Sequence, residues 1–514
     1  MSIKRAVARN VAWNWAGMAV EAGVGFAVAP FLVRSLGDTV YGLWILIASL
    51  TSYFGMLDLG VRGSVGRFVA FHRAKQAQDA LNRTLTTALA MLSVVGLVAL
   101  AGTLGVLAVF FDVFDVPPEE VEAARWALIL VGVNLAVTFP LKVFDATLWG
   151  FQRFDLLNLI DIPVALARGG LTVLLIRSGG GLVELALIVL ACTAVSGAAK
   201  GVLSFVVERG LRVRPALFGW AALGDLVGYG IWNFVRALCQ MTVQKLSPFV
   251  IGAALSLAAV TPFSIALRLV GYASLAMVAA SGVLTPVATM FHAQESHARQ
   301  HRLFFEGGKY CTSLSLYFLA LFLLLGQPLI VLWMGPDYRG AWQLLWILAL
   351  GEVLPMSQLV TESMMLGMAR HQVLAGLRVA ETILALVLGL TLVQAYGLTG
   401  MCVGLALPAA ALRGAAVITY GCVLVGVGVH QYGWRVLLPA LATAAVPAGL
   451  LAWAVHWHEP DTWPKLFTYG LTFTALYAMV ALAVLGSPLR GVGTPIVGPL
   501  FSRSRRALDD SAER

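Results

Sequence analysis

The sequence predicts an all-α polytopic membrane protein, and two observations carry that prediction. About fourteen apolar runs, most of them long enough to cross a bilayer, fill the chain almost from end to end, and no loop between them is large enough to fold as a domain. The composition agrees, with 59% of the 514 residues hydrophobic and 12% charged, against roughly 25% charged in an ordinary soluble domain. Soluble chemistry has little room in such a chain. Its task is confined to what crosses, binds or is modified at a membrane.

The runs fall near residues 9–32, 40–59, 85–111, 124–148, 156–176, 182–206, 226–251, 262–290, 305–333, 341–365, 373–393, 401–425, 436–455 and 466–485. Counting spans divides the chain into an N-terminal lobe (1–220, helices 1–6), a C-terminal lobe (221–430, helices 7–12), an added pair of helices (431–488) and a cytoplasmic tail (489–514). The first run follows Lys4 and Arg5 and ends in Ala27-Val28-Ala29, a signal-peptide pattern. Pro30 at the cut, with Asn14 and Glu21 inside the run, marks it instead as the first span.

The net charge of +9 is topological. With both termini inside, the cytoplasmic segments collect Arg67, Arg73, Arg209, Arg212, Arg214, Arg299, Arg302 and Arg435, while the outer side holds Arg34, Arg125, Arg177, Arg339 and Lys465 beside acids such as Asp112, Asp115 and Asp337. Nucleic acid is therefore not an expected partner. The five cysteines lie in apolar spans without disulfide or metal spacing and read as small buried hydrophobes.

Residue spacing points to an internal repeat. Trp13-Asn14 recurs as Trp232-Asn233 (232 − 13 = 219), and Phe71-His72 recurs as Phe291-His292 (291 − 71 = 220). Six spans separate the copies, so both halves enter the membrane with the same polarity, as in a parallel repeat about the membrane normal with a central cavity. On the seventh helix Asn233, Arg236, Gln240 and Gln244 follow i, i+3, i+7 and i+11, a sector of roughly 80°. Their first-helix counterparts are Asn14 and Glu21.

A charge at mid-span costs about 2.5–3.5 kcal/mol on insertion scales, so it faces a wet cavity or a partner. Arg236 lies near the midplane, too deep to snorkel, and Arg268 lies nearer the outer end of the eighth helix. Arg168 shares a face of the fifth helix with Asp161, seven residues before it. Lys142 with Asp145, and Arg378 with Glu381, have the i, i+3 spacing of structural ion pairs, whereas Arg413 has no sequence-local partner. An arginine-lined cavity suits an anionic, phosphate-bearing ligand, because guanidinium is always charged and forks onto phosphate oxygens.

Other chemistry falls away on motif grounds. No Walker A sequence is present, and His292, His297 and His301 lack a zincin pattern, so neither ATP hydrolysis nor a metal centre is expected. The outer loops are too short to carry the acidic or histidine-bearing domain of a membrane glycosyltransferase or ligase.

Leu36-Gly37, Tyr41-Gly42-Leu43-Trp44, Leu57-Asp58-Leu59-Gly60, Gly150-Phe151-Gln152-Arg153 and Ala266-Leu267-Arg268-Leu269 with Pro286 carry a family resemblance. Over essentially its whole length the chain resembles the polysaccharide flippases of the multidrug/oligosaccharidyl-lipid/polysaccharide exporter superfamily, especially the O-antigen type. The resemblance implies a two-lobed flippase that moves an undecaprenyl-pyrophosphate-linked oligosaccharide from the inner to the outer leaflet of a bacterial inner membrane by alternating access, for cell-surface polysaccharide biosynthesis. It implies Arg268 as a cavity arginine, spans thirteen and fourteen as the edge of a lipid groove, and a polysaccharide polymerase and glycosyltransferases as partners beside the glycolipid and membrane lipids. The relatives' other cavity arginines have no clear match in the first two helices, where Glu21 stands. No cofactor is expected. Glu21, Asp145 and Asp161 are the candidate sites for proton or sodium coupling. The rival readings are a cation-coupled multidrug exporter of the same superfamily and a membrane glycan ligase or transferase.

Overall fold

The structure is a computed structural model, and it describes the chain except residues 1–2, 56–60, 227–245, 282–283, 285–287, 289–290, 293, 295, 369 and 487–514. The described residues are helical throughout, joined by short turns, with no strand among them. This is what a bilayer demands, since only a helix satisfies every backbone N–H and C=O within its own segment.

Eleven helical stretches among the described residues are long and apolar enough to cross a membrane. The difference from fourteen has a local cause. The first stretch contains two expected spans, joined inside α1 (Ile3–Gly55) at Gly37, whose φ of 75° is left-handed. A second pair is joined in the same way at Gly397 (φ 59°), inside α12 (His371–Pro408). A left-handed φ costs glycine nothing, so one residue turns the chain where a loop would otherwise stand. Most of the seventh expected span lies outside the described residues, which accounts for the rest.

The chain forms two compact units, residues 1–264 and 265–514. The first contains α1, α2 (Val61–Ala74), α3 (Gln78–Val113), α4 (Val121–Gly150), α5 (Phe154–Arg177), α6 (Leu182–Val207) and the beginning of α7 (Leu257–Ser281). Here α4 packs against α3, α6 and α2, and α1 lies along α5. Val65, Leu85, Leu135 and Phe139 are buried in its core.

The close approaches are made at small residues, the usual device where lipid supplies no hydrophobic drive between helices. A Cβ on Gly150 would lie 2.6 Å from the Gly66 carbonyl oxygen, and one on Gly42 would collide with the Leu257 carbonyl. The Thr261 hydroxyl donates to the Asp38 carbonyl at 2.9 Å. The start of α7 is thus tied to the α1 turn, and the first unit extends to residue 264.

The second unit continues with α8 (His297–Arg302), α9 (Gly308–Met334), α10 (Ala341–Ser357), α11 (Leu359–Gly367), α12, α13 (Val417–Val425), α14 (Val429–Tyr432), α15 (Leu438–Trp457) and α16 (Trp463–Leu485). Widened π-helical turns join α8 to α9 (Leu303–Gly307), α12 to α13 (Ala409–Ala416) and α14 to α15 (Gly433–Leu437). Helix α9 packs on α10, α15 and α16, so the last two helices belong to this unit through α9. Their seam is aromatic: Tyr317 stacks on Phe473 with centroids 5.3 Å apart, and the Tyr477 hydroxyl meets the Ser313 hydroxyl at 3.2 Å.

Candidate functional site

Each unit holds a cluster of charged side chains within its spans. In the first, Lys200 on α6 is buried and places its Nζ 3.0 Å from Asp145 Oδ1 on α4 and 2.7 Å from Asp161 Oδ1 on α5. Ser196, one turn earlier on α6, donates its hydroxyl to the same Asp161 oxygen at 3.2 Å. Both aspartates proposed for ion coupling therefore share one ammonium. Asp145 also has the i, i+3 relation to Lys142, whose Nζ sits 5.1 Å from the centre of the Phe139 ring.

Two turns further along α5, Arg168 meets Glu21 of α1, with Nη2 3.3 Å from Oε1. Burial separates this pair from the first. The Lys200 side chain is 10% exposed, whereas Asp161 is 47%, Arg168 42% and Glu21 70% exposed. Charges exposed this far from the helix ends cannot be covered by acyl chains at tolerable cost. Asp161, Arg168 and Glu21 thus define a face of the first unit that water or a polar ligand must cover.

In the second unit Arg413 takes the place of Lys200. It lies in the π-helical turn 409–416, donates Nε to Glu381 Oε1 on α12 at 2.7 Å, and forks its two terminal nitrogens onto both carboxylate oxygens of Glu352 on α10. Arg378 extends the network, 3.3 Å from Glu362 and 3.8 Å from Glu381. Glu381 is 5% exposed, so this cluster is closed where the first is open.

The two clusters occupy matching places. Each centres on a cation of its lobe's sixth span, held between acids of the fourth and fifth. Asp161 and Glu381 stand one repeat apart (381 − 161 = 220), the offset already carried by Phe71 and Phe291. The i, i+3 pairing of Arg378 with Glu381 is present, while the partners of Arg413 come from 32 and 61 residues away. Lys200, Glu352 and Glu362 are not evident from sequence spacing; the repeat offset applied to Asp161 leads to Glu381 and so to Glu352 and Glu362, but not to Lys200.

Of the remaining expected site residues, Arg268 is half-buried on α7. Asn233, Arg236, Gln240 and Gln244 lie outside the described residues, as does the Asn14 side chain. Of the motif residues that carry the resemblance, Tyr41 and Leu43 are buried and Gly42 and Gly150 permit the close contacts given above, while Leu57, Asp58, Leu59, Gly60 and Pro286 lie outside the described residues. Among the described residues no group of three His, Cys, Asp or Glu is placed to hold a metal ion. Cys311, Cys402 and Cys422 are buried free thiols.

The first unit thus presents an exposed charged face within the spans of a multi-pass helical membrane protein. The profile of the polysaccharide biosynthesis protein family matches residues 31–343, and the chain belongs to that family. Over 67 residues it is 33% identical to a Shigella flexneri protein whose name ascribes O-antigen transport to it, a match that spans 13% of this chain and 16% of that protein.

Its fold is similar to that of the lipid II flippase MurJ in an inward closed conformation, with a TM-score of 0.68 at 11% identity, covering 92% of this chain and 98% of that one. It is also similar to an inward-facing multidrug resistance transporter of the MATE family, with a TM-score of 0.66 at 15% identity over 79% and 94% of the two chains. A third similar structure is a superfamily transporter of Pyrococcus furiosus described by the reversed polarity of its binding pocket, with a TM-score of 0.57 at 15% identity over 82% and 96%. Family and fold together are those of a multi-pass membrane protein of polysaccharide biosynthesis.

Proposed function

We propose that this protein translocates a polyprenyl-pyrophosphate-linked oligosaccharide from the cytoplasmic to the outer leaflet of a bacterial inner membrane, with both chain termini in the cytoplasm. Family membership supports the polysaccharide cargo. The observation that carries the reading in the structure is the exposed face of the first unit, where Arg168 offers a guanidinium to an anion and, among the described residues, is paired by a 3.3 Å contact to the exposed Glu21 carboxylate. The glycan and pyrophosphate pass along the wet face while the polyprenyl chain stays in lipid. Arg268 and Arg236 are the further arginines assigned to the headgroup, with Asn233, Gln240, Gln244 and Asn14 as polar lining. An anion of about two charges is driven outward by an inside-negative potential, by about 2.3 kcal/mol per charge per 100 mV.

The carboxylates favour one addition. Glu21 and Asp161 are the exposed acids of the first unit's charged face, and with Asp145 they are the groups assigned to proton or sodium coupling. A cavity more acidic than basic is what the rival reading, a cation-coupled multidrug exporter, would require. A polymerase and glycosyltransferases, acting after and before translocation, are the proposed protein partners.

Leaflet translocation of a fluorescent polyprenyl-pyrophosphate oligosaccharide in proteoliposomes tests the proposal, with Arg168→Ala, Arg236→Ala and Arg268→Ala at matched insertion. Transport by the natural protein that is lost in the arginine variants supports it. Transport of organic cations in place of the glycolipid would transfer the assignment to the exporter.

A further inference from the structure

The second unit has a basic pocket that the transport reading does not use. A cavity of about 420 Å³ lies where α8 runs into α9 and where α14 runs into α15, and its charged lining is His301, Arg302, Glu306, Lys309 and Arg435. Both walls are π-helical turns, Leu303–Gly307 on one side and Gly433–Leu437 on the other. Such turns widen the helix and re-aim the side chains they carry. Here one turn is preceded by Arg302 and the other contains Arg435.

The charge of the pocket is unbalanced. Its one carboxylate, Glu306, is taken by Lys309 at 2.9 Å. Among the described residues no carboxylate lies within ion-pair distance of Arg302 or Arg435, and both are exposed. The Arg435 guanidinium is steadied over the Phe305 ring, 5.2 Å from its centre, which fixes its direction without neutralising it. Phe305 and Pro439 give the cavity an apolar floor.

The pocket sits at the end of the spans, at the level of the bilayer interface. Tyr310, one residue past Lys309, donates its hydroxyl toward the carbonyls of Leu485 and Gly486, so this is the end at which the last helix leaves the membrane. Trp434, beside Arg435, is 70% exposed, as an interfacial anchor would be. In the expected orientation this is the cytoplasmic end.

We propose that the pocket binds the phosphate headgroup of an anionic phospholipid. Two arginines with no acid partner among the described residues, lining one cavity over an apolar floor at the interface, meet a phosphodiester on one side and the first acyl methylenes on the other. A zwitterionic lipid would bring its own cation into the same place, so the site selects for net negative charge. The inference rests on the chain being a membrane protein and does not depend on the cargo.

The test measures binding of phosphatidylglycerol and phosphatidylcholine to the full-length protein in detergent. Phosphatidylglycerol is expected to bind at least tenfold more tightly. Arg302→Gln with Arg435→Gln is expected to weaken it about thirtyfold, at the cost expected for losing two basic residues at a membrane surface. The Lys-for-Arg pair at these positions is expected to retain most of the preference. Arg212→Gln with Arg214→Gln removes the same charge from the first unit and should leave it unchanged.

A second readout needs no charge change: brominated phosphatidylglycerol should quench less tryptophan fluorescence in Trp434→Phe than in the natural protein, and brominated phosphatidylcholine should show no such difference. Equal affinity for the two lipids, or equal loss in the control pair, overturns the proposal. A polyprenyl pyrophosphate that displaces phosphatidylglycerol at lower concentration, through the same two arginines, reassigns the pocket to the cargo and likewise overturns it. Translocation in the proteoliposome assay has no bearing on either outcome, so the two proposals fail separately.

Discussion

The two units solve the same electrostatic problem with different cations. In the first, a flexible ammonium, Lys200, bridges Asp145 and Asp161, and the latter is nearly half exposed. In the second, a planar guanidinium, Arg413, is locked by Glu352 and Glu381, the latter almost fully buried. Lysine is a compact point charge on a mobile stem, whereas arginine is a rigid fork that fits carboxylates in fixed directions. The contrast assigns the units different work. The second cluster ties its helices together from a closed interior, while in the first Asp161 is open enough to turn to solvent.

The largest expected effect tests that contrast directly. Arg413→Ala strands Glu352 and Glu381, and breaking a buried pair from one side typically costs about 3–5 kcal/mol. Thermal unfolding in detergent should show a large loss of folded protein. Lys200→Ala should cost about 1–3 kcal/mol, because Asp161 can turn to water. Equal losses from the two substitutions would remove the distinction between a closed and an open cluster.

Next in size is the swap of cations. Arg413→Lys loses one arm of the fork and is expected to cost about 1–3 kcal/mol by the same measurement, whereas Lys200→Arg should cost less. A similar loss is expected from Gly42→Ala, since the added methyl would force the α1 turn away from Leu257. Gly271→Ala, which meets open space, serves as its control.

Asp161→Asn sharpens the functional half of the comparison. It should change stability by less than about 1 kcal/mol while altering any dependence of transport on proton or sodium gradients. Transport that is insensitive to both gradients in the natural protein would remove the coupling role of Glu21, Asp145 and Asp161.

The smallest expected effect lies outside the spans. Burial of the His72 ring, followed by the nearby Lys75 ammonium, lowers its pKa below 6.5. The unfolded chain then takes up this proton at higher pH than the folded one, so stability falls as pH drops through and below 6.5. His72→Gln should slightly flatten the melting temperature between pH 7.5 and 5.5.

Hydropathy made the fold class legible because a bilayer leaves backbone polar groups no partner but their own helix. Charge pairing was legible only where partners sit one helical turn apart, as with Arg378 and Glu381. Lys200 passed unnoticed inside an apolar run, since a single lysine barely changes the mean of twenty-six residues and its partners lie on other helices. The acids around Arg413 were likewise too far along the chain to pair by spacing. The glycines of the family motifs have a physical cause in the structure: Gly150 lies against the Gly66 backbone, and Gly42 against that of Leu257.

The turns at Gly37 and Gly397 also bear on how the protein is made. Each joins two apolar spans through a single left-handed residue within a short connector, residues 33–39 and 394–400. A nascent chain with such a joint offers the insertion machinery only a short polar stretch between one span and the next, so each pair is expected to enter the bilayer as one hairpin. Lengthening either joint with a flexible linker should uncouple the two insertions before it alters anything in the folded protein.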